Sequence, residues 1–152
     1  MAIDNLRYST EATSLTVPMV AKLFGRIGFG SEETMLDCEE MVVSMFAPGS
    51  YGLFAFDDGH QLVGLIRVLS DDYSVSWIAE LAVDPAWQDK GLGEEIIDWA
   101  DARFGHAAIY SCGLPKQREL LEKKGIKSRA HRGVELCSRA PNGMLIAADS
   151  AA

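Results

Sequence analysis

The sequence predicts an α/β domain of the α+β kind, a mixed, mostly antiparallel sheet of six to seven strands flanked by about four helices. Three observations carry this. In the first third of the chain, apolar residues recur at helical spacing. From Tyr51 the period changes to two, and three strand-like runs follow with short turns between them. After the third run, a loop with two glycines enters an amphipathic helix, and a short strand lies just behind it. That last arrangement is a β-α-β unit, whose two strands run parallel.

Leu6 to Ser9 reads as an opening strand. Thr16 or a neighbour caps a helix that carries Val17, Val20, Ala21 and Phe24 on one face. Gly25, Gly28 and Gly30 break it around Phe29, and a second helix is expected from Ser31, with Glu32 and Glu33 complementing its dipole. Its stripe is Met35, Cys38, Met41, Val42 and Met45, read as core packing, and Pro48-Gly49 ends it. Strands follow over 51–56, 61–69 and 74–83, with turns at Asp58-Gly59 and Asp71-Asp72. The next helix runs to about Phe104, with Leu92, Ile96, Trp99 and Ala100 inward, and leads to a strand over 107–111. A helix over 115–124 closes on lysines and Gly125, followed by strands over 126–129, 133–137 and 144–147. Residues 1–147 read as one domain and 148–152 as a flexible tail.

At 152 residues the chain can bury a core without disulfides or metal. A formal charge of −8 excludes nucleic acid as a partner, since that requires a basic face, and is compatible with a cationic substrate such as an amine. No apolar run approaches the ~18 residues of a membrane span, so no membrane partner is expected. The first ten residues lack the apolar core of a signal peptide, which predicts a cytoplasmic protein. Cys38, Cys112 and Cys137 have no paired spacing, so neither a disulfide framework nor a metal site is expected, and all three read as small buried thiols.

The most informative stretch is Val83-Asp84-Pro85-Ala86-Trp87-Gln88-Asp89-Lys90-Gly91-Leu92-Gly93. A strand that feeds a glycine turn and a helix N-terminus presents free backbone N–H groups, a natural seat for a diphosphate. A dinucleotide fold would need a third glycine and a first-strand position, and a nucleotide-hydrolase loop would need Gly-Lys-Ser/Thr. Neither is present.

The element order and this loop resemble the GNAT family of N-acetyltransferases. That family's loop reads Gln/Arg-x-x-Gly-x-Gly/Ala after a strand ending in Val-x-Pro, and Val83-Asp84-Pro85 with Gln88 to Gly93 matches it in full. Leu120-Leu121-Glu122-Lys123-Lys124-Gly125-Ile126 is similar to the family's Phe-Tyr-Glu-Lys-x-Gly-Phe segment. Leu62-Val63-Gly64 through Arg67-Val68-Leu69-Ser70-Asp71 further resembles a short subgroup that includes plant-type serotonin (arylalkylamine) N-acetyltransferases.

The resemblance implies acetyl-CoA as co-substrate, with the amides of Gln88, Asp89, Lys90, Gly91, Leu92 and Gly93 around its pyrophosphate. Both glycines would admit the ligand where a Cβ would collide, and Glu94 and Glu95 would turn to solvent or a cation. Leu81, Ala82 and Val83 would run beside the pantetheine arm and supply an oxyanion contact. Transfer to an amine needs a proton acceptor, because alkylammonium groups ionise near pKa ~10. Glu80 is the candidate base, with a salt-bridged acid at a strand edge as the alternative; Asp72 and Asp84 are turn residues. Leu121 stands where the family has a tyrosine acid. Tyr110, Ser111 and Cys112 are candidate substitutes, with structural roles as the alternative. Phe24, Ile27 and Phe29 would wall the acceptor site on one side, and the 129–133 loop with His131 on the other. His60 and His106 sit at turns, and Trp77, Trp87 and Trp99 read as packing or rim residues. The expected acceptor is a small-molecule amine or a peptide, in a monomer or a homodimer. A non-catalytic acyl-CoA-binding or sensing module and a protein lysine or N-terminal acetyltransferase are the competing readings.

Overall fold

Seven strands form one sheet in this computed structural model, which describes residues 3–112, 115–131 and 134–142, with side chains at 115–116, 129–131 and 134–136 outside that description. They are β1 (Arg7–Ser9), β2 (Ser50–Phe56), β3 (Leu62–Ser70), β4 (Val75–Val83), β5 (Ala108–Ser111), β6 (Lys127–His131) and β7 (Val134–Arg139). Their spatial order is β1-β2-β3-β4-β5-β7-β6. Every pairing is antiparallel except β4 with β5, as the β-α-β reading requires. The expected strand over 144–147 lies outside the described residues.

Aspartates set both hairpins of the meander. At the first, Asp57 Oδ1 accepts from the Gln61 N–H at 2.9 Å. At the second, the Asp71 carboxylate accepts from the N–H groups of Tyr73, Ser74 and Val75 at 3.0, 2.8 and 3.0 Å, and from the Ser74 hydroxyl. Such local bonds are how Asp replaces a backbone turn.

Helices cover the two faces. On one lie α1 (Val17–Arg26), α2 (Glu32–Leu36) and α3 (Met41–Met45). The Thr16 hydroxyl accepts from the Met19 N–H at 3.4 Å, and Val20, Ala21, Leu23 and Phe24 are buried against Phe54, Phe56, Leu65 and Ala82. On the other face lie α4 (Leu92–Phe104) and α5 (Pro115–Lys123), over Ile66, Ile78, Leu81 and Ile109. Leu65 faces the first core and Ile66 the second, so β3 is apolar on both sides and reads as a near-continuous hydrophobic run.

Two expectations are corrected here. The second helix is broken into two five-residue helices at Asp37–Glu40. Three acids crowd that tetrapeptide, and like charges on neighbouring turns with weak helix formers stop propagation. The chain instead turns through Cys38 N–H to Met35 O and Met41 N–H to Cys38 O. Only Cys137 is a buried thiol: Cys38 lies in that break and Cys112 just past β5, and both are exposed. Among the described residues, no helix is long and apolar enough to cross a membrane.

Candidate active site

An opening in the sheet organises the site. β4 pairs with β5 only from Val75–Ile78 to Ala108–Ser111, and β4 then continues to Val83. Where the strands part, the Ser111 hydroxyl donates to the Ile78 carbonyl at 3.2 Å. There β4 also takes an extra residue, Ala79, because Arg67 opposes Glu80 while Val68 opposes Ile78. Beyond this bulge the hydrogen-bonding direction alternates. The Asp84 N–H donates to Val63 O at 2.8 Å, so Glu80, Ala82 and Asp84 turn toward β3. Leu81 and Val83 therefore aim both N–H and C=O at the open edge. Side-chain amides hold their carbonyls: Gln88 donates to Val83 O at 3.0 Å and Gln117 to Leu81 O. The two N–H groups have no acceptor among the described residues.

The loop after β4 is fixed by Asp84, which is buried although charged. Its carboxylate accepts from the Ala86 N–H at 2.8 Å and pairs with Arg26 at 2.7 Å, while its carbonyl accepts from the Trp87 and Gln88 N–H groups at 2.8 and 3.1 Å. A 3₁₀ turn over Pro85–Trp87 results, and the chain reaches Gly91 at φ +88° as the N-cap of α4, without a side-chain cap. The first-turn N–H groups of Leu92, Gly93 and Glu94 are left without partners among the described residues. Unpaired N–H groups at the positive end of a thirteen-residue helix fit an anionic ligand such as a diphosphate.

The two glycines have different surroundings within the protein. No protein atom lies within 4 Å of a Cβ added at Gly91, and its left-handed backbone angle by itself calls for glycine. A Cβ at Gly93 would fall 2.6 Å from Leu120 Cδ2, so Gly93 admits α5 against α4. Leu92 is fully buried and offers only its backbone; Asp89 is exposed at φ +61°, and Lys90 sits over the Trp87 ring at 5.1 Å. Glu94 pairs with Lys123 at 3.8 Å, and Glu95 accepts from the Tyr8 hydroxyl. Burial, reinforced by Glu95, pushes the Tyr8 phenol well above its usual range.

Glu80 is ion-paired across the hairpin with Arg67. Arg67 grips both carboxylate oxygens at 2.5 and 2.6 Å and also donates to Met45 O at 3.2 Å. The same hydrogen bonds raise the guanidinium pKa. The three candidate acids do not converge: Ser111 faces the α4–α5 side with Ile109, Tyr110 points to the opposite face, and Cys112 lies exposed past the strand end. Leu121, 1% exposed, is a core residue beneath α5.

The residues expected to wall the acceptor differ in exposure. Phe24 is buried because the helical period places it with Val20 and Leu23. Phe29 packs edge-on against it at 5.4 Å and is half exposed, and Ile27 is partly buried. Residues 129–131 belong to β6, not to a loop; the side chain of His131 and residues 132–133 lie outside the description. Leu69, Trp77 and Tyr110 stand side by side across β3, β4 and β5 on the α1–α3 face, where no helix among the described residues covers them. Leu69 is 41% and Tyr110 37% exposed. This row ends at the Arg67–Glu80 pair.

Sequence reasoning missed Arg67, the Leu69–Trp77–Tyr110 row and Gln117. A signal for Gln117 was present, a polar residue one turn before Leu121 on the same face. A separate cavity of about 250 Å³ lies between Lys22 and Arg26 of α1, His60, Leu62 and Asp84, and no site was assigned there.

The family model described as Acetyltransferase (GNAT) family matches residues 21–118. No protein of curated function matches the sequence. Among solved structures, the chain is similar to a GNAT-family acetyltransferase from Streptococcus pneumoniae, with 20% identity, 80% of this chain and 87% of that one covered, and a TM-score of 0.62. A GNAT-family acetyltransferase from Staphylococcus aureus gives 12% identity, coverages of 90% and 99%, and a TM-score of 0.64. An acetyltransferase from Thermus thermophilus gives 16%, 92%, 99% and 0.64 in the same order. These likenesses carry the fold, and none bears on the arylalkylamine subgroup. The family model runs from within α1 through the meander and the Gln88–Gly93 loop to the start of α5, and on that match the chain belongs to the GNAT family of acetyltransferases.

Proposed function

We propose that this protein transfers acetyl from acetyl-CoA to a primary amine, directly, with both substrates bound together. The observation that carries the reading is the pair of adjoining donors, the open Leu81 and Val83 amides of β4 and the uncapped start of α4. An extended chain with amides suits the first and a diphosphate the second.

Acetyl-CoA supplies an activated thioester. Leu81 N–H is suited to receive the charge that develops on the acyl oxygen, because it already points into the opening and no group among the described residues uses it. The acceptor approaches from the α1–α3 face, where the Leu69–Trp77–Tyr110 row suits an apolar or aromatic body. Each Glu80 oxygen keeps a lone pair beyond its bond to Arg67. Glu80 therefore orients the amine or a water that takes its proton, rather than serving as a free base. The N–C bond forms as the C–S bond breaks, and the thiolate takes a proton from water or from Tyr110.

A second reading, an acyl-CoA-binding module without turnover, is favoured by Leu121, which puts no hydroxyl at α5's inward face. Calorimetry with acetyl-CoA and a thiol-release assay over a panel of aromatic, aliphatic and peptide amines separate the two. Turnover with any amine, lowered about tenfold by Glu80→Gln at unchanged cofactor affinity, supports the transferase. Binding without turnover on the whole panel supports the module, and no binding at millimolar cofactor removes both.

A further inference from the structure

We propose that Gln117 is a built-in competitor for acetyl-CoA, occupying in the free chain the Leu81 carbonyl that an amide of the ligand's pantetheine arm takes on binding. This rests on the acetyl-CoA reading above and adds a determinant of affinity to it.

The geometry distinguishes Gln117 from Gln88. Gln88 belongs to the loop itself and reaches back five residues to Val83, a local closure within one segment. Gln117 comes from α5, thirty-six residues from Leu81 in sequence, and its side-chain amide donates to the Leu81 carbonyl. Past Ser111 no strand among the described residues lies against this edge of β4, so the Leu81 carbonyl would otherwise face the opening. A carbonyl at such an edge needs a donor, because an unpaired one is costly. A flexible side-chain amide supplies that donor without a strand and can leave by rotation about its own bonds. An extended ligand laid along β4 offers the same N–H from its own backbone-like chain, so ligand and side chain compete for one acceptor.

The competition has a definite sign. Binding requires the fraction of molecules in which Gln117 has released Leu81, and the apparent affinity is reduced by that fraction. Removing the side chain removes the reduction, at the expense of the free protein's stability.

Calorimetry with CoA on the full chain tests this, with ADP as a probe that has the diphosphate but no pantetheine arm. Gln117→Ala is expected to bind CoA about 3- to 10-fold more tightly, the value of one net hydrogen bond, while ADP affinity is unchanged and the ligand-free Tm falls. If the alanine variant does not fold, Gln117→Asn, one methylene shorter and unable to reach the Leu81 carbonyl, should shift CoA affinity in the same direction. Unchanged or weaker CoA binding by a folded variant overturns the competitor role alone. Equal tightening for CoA and ADP overturns it too, since the effect would then not involve the arm. Absence of CoA binding by both wild type and variant overturns the acetyl-CoA reading itself, and the competitor role with it.

Discussion

Arg67 and Glu80 stand directly opposite each other on β3 and β4, and the guanidinium holds both carboxylate oxygens at the point where β4 bulges away from regular pairing. Both side chains are mostly buried, at 18% and 15% exposure, so neither is easily satisfied by water once its partner is gone. Arg67→Met should therefore lower unfolding stability by about 2 kcal/mol, as expected for lost hydrogen bonds to a charged group. Urea denaturation measures it. Glu80→Gln should cost less, because the amide oxygen still accepts from Arg67, and the difference between the two variants reports the uncompensated carboxylate.

The two loop glycines should respond differently to the same substitution. Gly91→Ala meets empty space but must hold φ +88°, which costs about 1 kcal/mol in stability. Gly93→Ala keeps an ordinary helical backbone and instead drives a methyl into Leu120. Combining Gly93→Ala with Leu120→Ala should thus be non-additive, with a coupling of about 1 kcal/mol, whereas Gly91→Ala with Leu120→Ala should be additive. Thermal or chemical unfolding of the two double-mutant cycles decides it. Coupling at Gly91 of the same size would show that both glycines serve helix packing.

The fold was legible because its local signals agree with one another. Thr16, Asp58-Gly59, Asp71, the period-two runs and the brief return behind α4 each fixed an element or a turn where the structure has it. The helix over 31–47 was misread because methionine spacing carried the reading past Asp37, Glu39 and Glu40, whose charges break the element. The site was half legible. A glycine loop is a contiguous motif, so Gln88 to Gly93 could be read directly. The partner of Glu80 depends on a one-residue bulge across a hairpin, and a slip of one residue reverses every side chain. The orientation of Tyr110 and Ser111 to opposite faces follows from strand alternation, but which face holds the opening depends on where β4 and β5 part. Gln117 meets Leu81 only through the tertiary packing of α5, and no local pattern encodes that.

Asp71 gives the second hairpin an acid-sensitive component. Its carboxyl is held well below the usual 3.8, first by the Ser74 hydroxyl and then by the N–H groups of Val75, Tyr73 and Ser74. A depressed carboxylate contributes stability that is fully present above the unfolded value and is lost as pH falls through the folded one. The Tm difference between wild type and Asp71→Asn should thus be constant from pH 5 to 7 and should shrink progressively below about pH 4. Asp101 is depressed in the same direction, chiefly by its hydrogen bond from Arg139, and remains in both proteins, so it cancels from the comparison. A difference that grows toward low pH would mean that Asp71 is not the group being protonated.

Leu121 offers the sharpest test of whether chemistry at this site is limited by proton delivery. Its side chain is fully buried on the inward face of α5, one turn after Gln117, and the helix ends through Lys124 and Ile126 N–H groups bonded to its carbonyl. Leu121→Tyr overfills a packed core, which should lower stability by about 1–3 kcal/mol. The same substitution adds a phenol one turn after Gln117, whose amide reaches Leu81 at the opening. A positioned general acid is worth ~10²–10⁴-fold when protonation of the leaving group limits the rate, so an increase of at least tenfold in kcat is expected, with acetyl-CoA affinity little changed. Stopped-flow thiol release at saturating amine measures it, and urea denaturation records the stability loss in the same sample. A folded Leu121→Tyr protein with unchanged kcat would place the limiting step elsewhere, in deprotonation of the amine beside Glu80 or in product release. A gain in kcat that disappears in Leu121→Phe would assign the effect to the hydroxyl and not to the added ring.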